Sequence, residues 1–295
     1  MPGSLTLSQI STNELRDLND NVMMSENNGT ISLGLEVNVN QPLGLALLSS
    51  DPTGTRIGQI YYNTTNQAVK IYNGTSWLTL FQTDIVKNGL ILHWDMTNPS
   101  SYNGSGSTVN DISGNGYTGT IQGNPTFSVN NNGYMIFDGF GDYITSSLTQ
   151  PSGARTFGCW VYYSSLTQPN GEGYQLQGIQ ASGGYTYQGI ADGGDYYYYI
   201  GTGTGGQFNI GIQTNTWYYK VLTFDGSTFK VYLNGAVIQS GSASPGTTSA
   251  TFQAAAINGN YRLYGRGSEW QFYDRELSES EVTQNFNAGR GRYGI

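Results

Sequence analysis

The chain has 295 residues, of which only 11% are charged, and it holds 42 glycines and 23 tyrosines. Its net charge of −8 disfavours binding to nucleic acid through phosphate contacts. Cys159 is its single cysteine, which excludes an intrachain disulfide and a cysteine-cluster metal site. No apolar run reaches the ~20 residues of a membrane-spanning helix, so no membrane insertion is expected.

Residues 10–24 carry the signals of a short helix. Ser11 and Glu14 have the spacing of a capping box, and Ile10 and Leu15 have the spacing of a hydrophobic staple. Such a short helix needs a partner surface to be stable. The sequence therefore predicts one short helix near the N-terminus, and the alternating apolar residues over 31–39 predict a strand after it.

Residues 51–81 predict a compact β-meander, because strand-like runs alternate with Asn- and Gly-containing turns. The segment resembles a short module of bacteriophage tail fibres and other virion appendages. The resemblance rests on Pro52, Gly54, Gln59, Ile60, Tyr61, Tyr62, Asn63, Thr64, Tyr72, Asn73, Gly74, Thr75 and Trp77. It implies that the protein belongs to a virion.

From residue 88 onward, many short strands separated by turns predict an all-β sandwich or jelly roll. In the stretch Trp217–Gly241, Asp225-Gly226 and Asn234-Gly235 are dipeptides that favour type I′ hairpin turns. Near the C-terminus, Ser278 and Glu281 form a second capping box, which predicts a short closing helix.

The order of motifs resembles the laminin-G/pentraxin-like branch of the concanavalin A-like lectin/glucanase fold. The resemblance spans residues 88–288 and rests on Trp94, Asp95, Asp111, Ser113, Gly114, Asn115, Gly116, Gly119, Thr120, Phe137, Asp138, Gly139, Asp142, Tyr143, Ile144, Trp160, Val161, Trp217, Val221, Phe224, Asp225, Gly226, Tyr232, Leu233, Asn234, Gly235, Tyr273, Asp274, Arg275, Leu277, Ser278, Glu281 and Val282. It implies a concanavalin A-like jelly-roll β-sandwich over residues 86–295. A small β-rich module with one short helix, over residues 1–85, would serve attachment or oligomerisation.

Some members of this superfamily cleave glycans, and such enzymes need two carboxylates flanking the scissile bond. The glucanase pattern E-x-D-x-x-E is absent from the sequence, and His93 is the single histidine. No catalytic residue is therefore assigned, and we expect that the protein is not an enzyme. His93 lies between Leu92 and Trp94 and is interpreted as a strand residue with a satisfied ring.

Calcium is the one cofactor that the sequence suggests. Asp111, Ser113 and Asn115 place oxygen atoms at alternate positions before a glycine, and Asp138 and Asp142 form a second candidate group. The alternative, which the residues favour, is that Asp111 forms an Asx-turn and holds backbone amides of its own loop.

Tyrosines supply the candidate carbohydrate-binding residues. The run Asp195–Gly201 places tyrosine pairs on opposite faces of a strand, so that one pair faces outward, and we assign Tyr196 and Tyr198 to binding together with Tyr185 and Tyr187. The alternative is cross-strand aromatic pairing, which stabilises a sheet without any ligand.

These patterns favour a structural virion protein of a bacteriophage that displays a lectin-like domain for adhesion to the host surface. The alternatives are a lectin that recognises host glycans as its main role and, least favoured, a polysaccharide depolymerase. Other virion proteins, a homotrimer or other symmetric homo-oligomer, and host-surface polysaccharide are the expected partners. The N-terminus lacks the pattern of a signal peptide. We therefore expect synthesis in the host bacterial cytoplasm and extracellular display on the virion.

Overall fold

The computed structural model of the chain describes residues 14–16, 22–27, 30–32, 45–53, 56–64, 68–82, 84–130, 133–181 and 183–295. The chain divides into two compact units, Met1–Leu47 and Leu48–Ile295. The second unit includes the meander over residues 51–81, which the sequence pattern assigns to the N-terminal module.

The first unit contains an antiparallel sheet with the strand order β1 (Glu14–Arg16), β2 (Val22–Asn27) and β3 (Thr30–Ser32). The helix predicted over residues 10–24 is therefore wrong where this segment is described. A helix cap contributes only about 1 kcal/mol, and a short helix without a packed face is unstable, whereas strand pairing satisfies the same backbone groups. Residues 10–13, 17–21 and 33–39, on which the rest of these predictions depend, lie outside the described residues.

The predicted meander is a four-stranded sheet with the strand order β4 (Leu47–Leu48), β5 (Ile60–Asn63), β6 (Ala68–Tyr72) and β7 (Trp77–Gln82). Its centre is the buried Tyr61, whose ring lies edge-on to the Trp77 ring with centroids 4.7 Å apart. The Tyr61 hydroxyl donates to Asp51, and the ammonium of Lys70 pairs with the same carboxylate at 2.6 Å. The aromatic residues of the motif thus hold the meander together.

Sixteen further strands and a C-terminal helix follow among the described residues. They are β8 (Leu90–Asp95), β9 (Thr108–Val109), β10 (Gly119–Gln122), β11 (Thr126–Ser128), β12 (Tyr134–Asp138), β13 (Tyr143–Thr149), β14 (Arg155–Tyr163), β15 (Tyr174–Ala181), β16 (Gly184–Ala191), β17 (Tyr196–Gly201), β18 (Thr204–Phe208), β19 (Trp217–Phe224), β20 (Thr228–Leu233), β21 (Ala236–Ser242), β22 (Thr251–Ala254), β23 (Tyr264–Tyr273) and α1 (Glu279–Tyr293).

These strands form two eight-stranded sheets. The front sheet has the order β11-β12-β23-β14-β19-β20-β21, with β8 also paired to β23, and the back sheet has the order β18-β17-β16-β15-β22-β13-β10-β9. Aromatic side chains from both sheets fill the space between them. The Phe252 ring of the back sheet lies 5.5 Å from Trp94 and 5.3 Å from Phe157 of the front sheet. The all-β sandwich predicted from the sequence is confirmed.

All nine residues of strand β14 are buried. The back sheet covers one face of this strand and α1 covers part of the other. Phe157 and Cys159 point into the core between the sheets, whereas Trp160 points outward to α1. The Trp160 ring lies 4.4 Å from the ring of Tyr293 on the helix. A Cβ at Gly289 would lie 2.6 Å from the Trp160 indole nitrogen, so a glycine at this position lets the helix approach the sheet closely.

The two predicted type I′ turns have different outcomes. Asn234 and Gly235 both have positive φ, 51° and 83°, and link β20 to β21 as predicted. In the Asp225-Gly226 pair only Gly226 has positive φ, so the prediction of a type I′ turn at this pair is wrong. This loop is three residues long, and the Asp225 carboxylate stabilises it by accepting the backbone N–H groups of Ser227 and Thr228.

Two basic side chains, Arg155 and Lys220, are completely buried in the sandwich. Lys220 of β19 is completely buried, and its ammonium donates to the Tyr163 hydroxyl at 3.1 Å and to the carbonyl oxygen of Gly189. It also lies 3.9 Å from the centre of the Tyr196 ring. No acidic side chain forms an ion pair with it in the described part of the chain, and burial lowers the pKa of Lys220 to about 7.

Candidate functional site

A cluster of tyrosines covers part of the outer face of the back sheet, which we call the tyrosine surface. It surrounds an open groove of about 250 Å³. The residues that line the groove are Tyr174, Leu176, Gln180, Tyr185, Tyr187, Tyr197, Tyr199 and Tyr261. All of these tyrosines except Tyr187 keep part of the ring exposed, because the outer face of this sheet is open at these positions.

The two-residue period of β17 decides which tyrosines reach this surface. Tyr197 and Tyr199 point outward, whereas Tyr196 and Tyr198 point into the core and are 0% and 4% exposed. The assignment of Tyr196 and Tyr198 to binding is therefore corrected. Tyr196 lies over the Lys220 ammonium, and Tyr198 packs against Phe229 with ring centroids 5.2 Å apart.

Tyr185 and Tyr187 of β16 lie in the groove, in the positions that the sequence suggested. Cross-strand pairing brings Tyr187 opposite Tyr199, and the two rings stack at 5.5 Å with an interplanar angle of 11°. Tyr174 of β15 packs against Tyr197 at 4.8 Å. Cross-strand aromatic pairing is therefore present, and the paired rings also form a continuous aromatic surface.

A glycine on the neighbouring strand makes room for the Tyr199 ring. Tyr199 lies opposite Gly205 of β18, and a Cβ at Gly205 would lie 2.2 Å from the ring. The ring can therefore lie across this strand only because no side chain stands there. Gly205 thus makes room for the ring, and stacking on Tyr187 holds it there.

The polar groups of the groove are neutral. Burial raises the pKa values of Tyr187 and Tyr197, so both hydroxyls stay protonated at neutral pH. The amide oxygen of Gln180 is buried without a hydrogen-bond donor among the described residues.

Four lining tyrosines were not assigned from the sequence. These are Tyr174, Tyr197, Tyr199 and Tyr261. Tyr197 and Tyr199 belong to the run Asp195–Gly201, but the two-residue period alone does not say which tyrosine pair faces outward. Tyr174 and Tyr261 come from distant segments that only the sheet pairing and loop packing bring together.

The first candidate calcium group is an Asx-turn in the structure. The Asp111 carboxylate accepts the backbone N–H groups of His93, Ser113 and Tyr117, each at 2.9 Å. The Ser113 hydroxyl also contacts this carboxylate, and the Asn115 amide donates to a backbone carbonyl. This network ties the loop to strand β8, which is the alternative that the residues favoured.

Asp138 and Asp142 bind backbone amides in the same way. Asp138 accepts the N–H of Phe140 at 2.8 Å, and Asp142 accepts the N–H groups of Asn124 and Asp138. Burial raises the pKa of Asp142 above its ordinary value. Both carboxylates therefore hold the chain around the loop after β12.

A cluster that the sequence did not reveal lies beneath α1. His93, Asp95 and Glu269 are buried, with ligand-type atoms all within 4.8 Å of one another. His93 Nε2 lies 2.9 Å from Glu269 Oε1, so one nitrogen of the ring is satisfied as expected, whereas its Nδ1 has no partner among the described residues. The Arg292 guanidinium of α1 lies 3.7 Å from Asp95 and 3.8 Å from Glu269.

This buried cluster joins the helix to the sheet. Burial would raise the pKa of Glu269, but the contact with His93 and the charge of Arg292 lower it overall. The Glu269 carboxylate is therefore charged at neutral pH and attracts the end of α1. Because α1 covers the group, a polysaccharide cannot reach these carboxylates.

Comparisons with known proteins agree with this architecture. Residues 137–283 match the family model described as the concanavalin A-like lectin/glucanases superfamily. No curated protein matches the chain in sequence. No helix among the described residues is long and apolar enough to cross a membrane.

Three solved structures illustrate the likeness. The receptor-binding domain of botulinum neurotoxin C/D mosaic serotype has a TM-score of 0.52 at 14% identity and covers 68% of this chain and 51% of that chain. Domain 4 of an extracellular arabinanase from Geobacillus stearothermophilus, in complex with arabinotriose, has a TM-score of 0.51 at 20% identity, with coverages of 66% and 97%. Trypanosoma rangeli sialidase in complex with sialic acid has a TM-score of 0.54 at 14% identity, with coverages of 69% and 33%.

The chain thus spans about half of the toxin domain and about a third of the sialidase. These identities are low, so the likeness concerns the fold. Together with the match over residues 137–283, it shows that the sandwich of this chain has the concanavalin A-like lectin/glucanase fold.

Proposed function

We propose that the sandwich is a lectin-like domain that binds carbohydrate on the tyrosine surface. The observation that carries the proposal is a cluster of tyrosine rings that pack on one another around an open groove of about 250 Å³. A sugar ring presents C–H bonds on one face, and these meet the electron-rich face of an aromatic ring favourably. The sugar hydroxyls then form hydrogen bonds with the hydroxyls of the part-exposed lining tyrosines.

Two of the structurally similar proteins were solved with a carbohydrate bound, which supports this proposal. Domain 4 of the arabinanase was solved with arabinotriose, and the sialidase with sialic acid. The shared fold therefore serves in proteins that bind carbohydrate.

Glycan binding is tested with an array that includes bacterial envelope polysaccharides. The Tyr197→Ala and Tyr199→Ala variants remove the two outward rings of β17, and Tyr264→Ala is the matched control because that ring is exposed on the front sheet. Each groove variant removes an apolar contact and C–H contacts worth roughly 1–2 kcal/mol, so it should weaken binding roughly tenfold while the control keeps full affinity. Absence of any bound glycan, or unchanged binding in both groove variants, would refute the proposal.

We propose binding without cleavage. Among the described residues that line the groove there is no carboxylate, and the Asp95–Glu269 group is buried beneath α1. Hydrolysis of a glycosidic bond needs two carboxylates beside the bond. Incubation with a bound polysaccharide should therefore release no reducing ends, and release that tracks the protein through purification would overturn this part of the proposal.

We further propose that the protein is a bacteriophage virion component that displays this domain as a symmetric homo-oligomer. The support is the resemblance of the meander to virion-appendage modules, together with its ordered aromatic centre around Tyr61. Deleting residues 1–46 leaves the compact unit from Leu48, together with all of β4, in place. The truncated protein should fold and bind glycan but be lost from purified particles, and its retention on particles would show that these residues are not the attachment segment.

A further inference from the structure

The groove on the tyrosine surface has an uncharged lining. Its eight lining residues are six tyrosines, a leucine and a glutamine. The nearest charged residues along the chain are already engaged. Arg262, next to Tyr261, forms an ion pair with Glu172 at 2.7 Å, and Asp195, before β17, accepts the side-chain amides of Gln207 and Asn209.

The hydroxyl groups of Tyr187 and Tyr197 are protonated and therefore add no charge to the groove. Burial raises the pKa values of Tyr187 and Tyr197, so that neither hydroxyl becomes an anion in the physiological range. A hydroxyl group and an amide each donate or accept hydrogen bonds without a charge, which is the chemistry of sugar hydroxyls. No cation in the lining would offset a bound carboxylate or sulfate.

An anionic ligand would therefore lose water without gaining a counter-charge. The net charge of −8 would oppose its approach as well. A neutral ligand has neither cost, and it gains the aromatic contact and the hydrogen bonds in full.

The size of the groove bears on the length of the ligand. Its volume of about 250 Å³ is below the roughly 300–1,000 Å³ of pockets that enclose a whole small molecule. The groove is open toward solvent, so a chain can rest one segment in it and continue across the sheet.

We propose, on the basis of the carbohydrate-binding function proposed above, that the ligand is an uncharged polysaccharide chain of neutral sugars, and that sialylated, uronic-acid and sulfated glycans are excluded by the absence of a cation in the groove.

The test compares oligosaccharides of equal length by calorimetry. Neutral gluco-, galacto- and arabino-oligosaccharides form one set, and sialylated or uronate-containing oligosaccharides form the other. The best neutral ligand should bind at least about tenfold more tightly than any acidic ligand. Its affinity should change less than about twofold between about 50 mM and about 500 mM NaCl, because no ion pair is screened. An acidic oligosaccharide as the best ligand, or a strong salt dependence, would overturn the inference.

A charge-introducing variant supplies a second readout. Gln180→Lys places a cation at the edge of the groove and should create measurable, salt-dependent binding of acidic oligosaccharides. Gln239→Lys is the control, because Gln239 is exposed on the edge strand β21 of the front sheet. Equal behaviour of the two variants would show that the groove charge does not set selectivity.

The two proposals fail in different ways. If acidic ligands bind best and Tyr199→Ala abolishes their binding, the tyrosine surface is the site and only the selectivity inference fails. If binding of either class is indifferent to Tyr199→Ala, the proposed site itself fails.

Discussion

Replacing Lys220 with methionine removes an ammonium group that the sandwich core buries without an acidic partner in the described part of the chain. The group has two hydrogen-bond acceptors and an aromatic ring beneath it, yet burial still lowers its pKa to about 7 from an ordinary value of 10.5. A lysine that titrates at so different a pH in the folded and unfolded states must make stability depend on pH.

The sign and size of this dependence follow from proton binding. Between pH 7 and pH 10.5 the unfolded chain holds the proton more firmly than the folded chain, so the free energy of unfolding rises with pH in that range. With a folded pKa of about 7, the rise between pH 7 and pH 9 is about 2 kcal/mol. Above pH 9 the buried Cys159 acts in the opposite direction, because burial raises the pKa of its thiol to about 12.

Urea titrations followed by tryptophan fluorescence measure the free energy of unfolding at each pH. The wild type should gain about 2 kcal/mol from pH 7 to pH 9, whereas Lys220→Met should be nearly flat. Lys87→Met, which removes an exposed lysine, should keep the wild-type slope. A wild-type stability that stays level or falls over this range, or a Lys220→Met slope equal to that of the wild type, would refute the reasoning.

Three further outcomes test the scaffold. Phe252→Ala removes a fully buried ring that packs on Phe157, and it should lower the free energy of unfolding by about 3–5 kcal/mol in urea titrations. A loss below about 1 kcal/mol would contradict this packing. The hydrogen bond from Arg275 lowers the pKa of Glu281 from 4.5 to about 2. The stability that this pair contributes is therefore lost as the pH falls from 4.5 toward 2. Thermal melts should therefore show a smaller acid-induced loss for Arg275→Met than for the wild type, and equal losses would count against the pairing. Melting temperatures in calcium and in EDTA should agree within about 1 °C, because the Asp111 carboxylate already accepts three backbone amides. A calcium-dependent rise that disappears in Asp111→Ala would instead establish a calcium site there.

The fold was predictable because its signals are local. Asn234-Gly235 sets its turn through φ > 0, and Ser278 with Glu281 forms the predicted capping box at the start of α1. The N-terminal segment carries similar local signals but forms strands at Glu14–Arg16 and Val22–Asn27. A pattern worth about 1 kcal/mol does not decide between helix and strand when a neighbouring strand is available for pairing.

The candidate site was predictable only in part. The alternation in β17 identified two tyrosine pairs, but the side that faces solvent depends on which sheet packs beneath the strand. Lys220 and Phe229 of the front sheet contact Tyr196 and Tyr198, and that long-range contact sends Tyr197 outward. The roles of His93 and Glu269 were likewise hidden, because their pairing joins residues from opposite ends of the sandwich sequence.

The sandwich has two unlike sides. On the front side, Asn285 of α1 accepts the backbone N–H of Val86, Gln284 donates to the carbonyl of Asp84, and β7 contacts the same helix. The chain thus enters the sandwich where the helix lies, while Tyr197 and Tyr199 point away from the back sheet. Immobilising the protein through the side that carries α1 would give every copy the same orientation. The aromatic rings of the back sheet would then face the solution. Attachment chemistry aimed at the front sheet would therefore give a uniformly oriented biosensor layer, whereas random coupling through the back sheet would mask the rings.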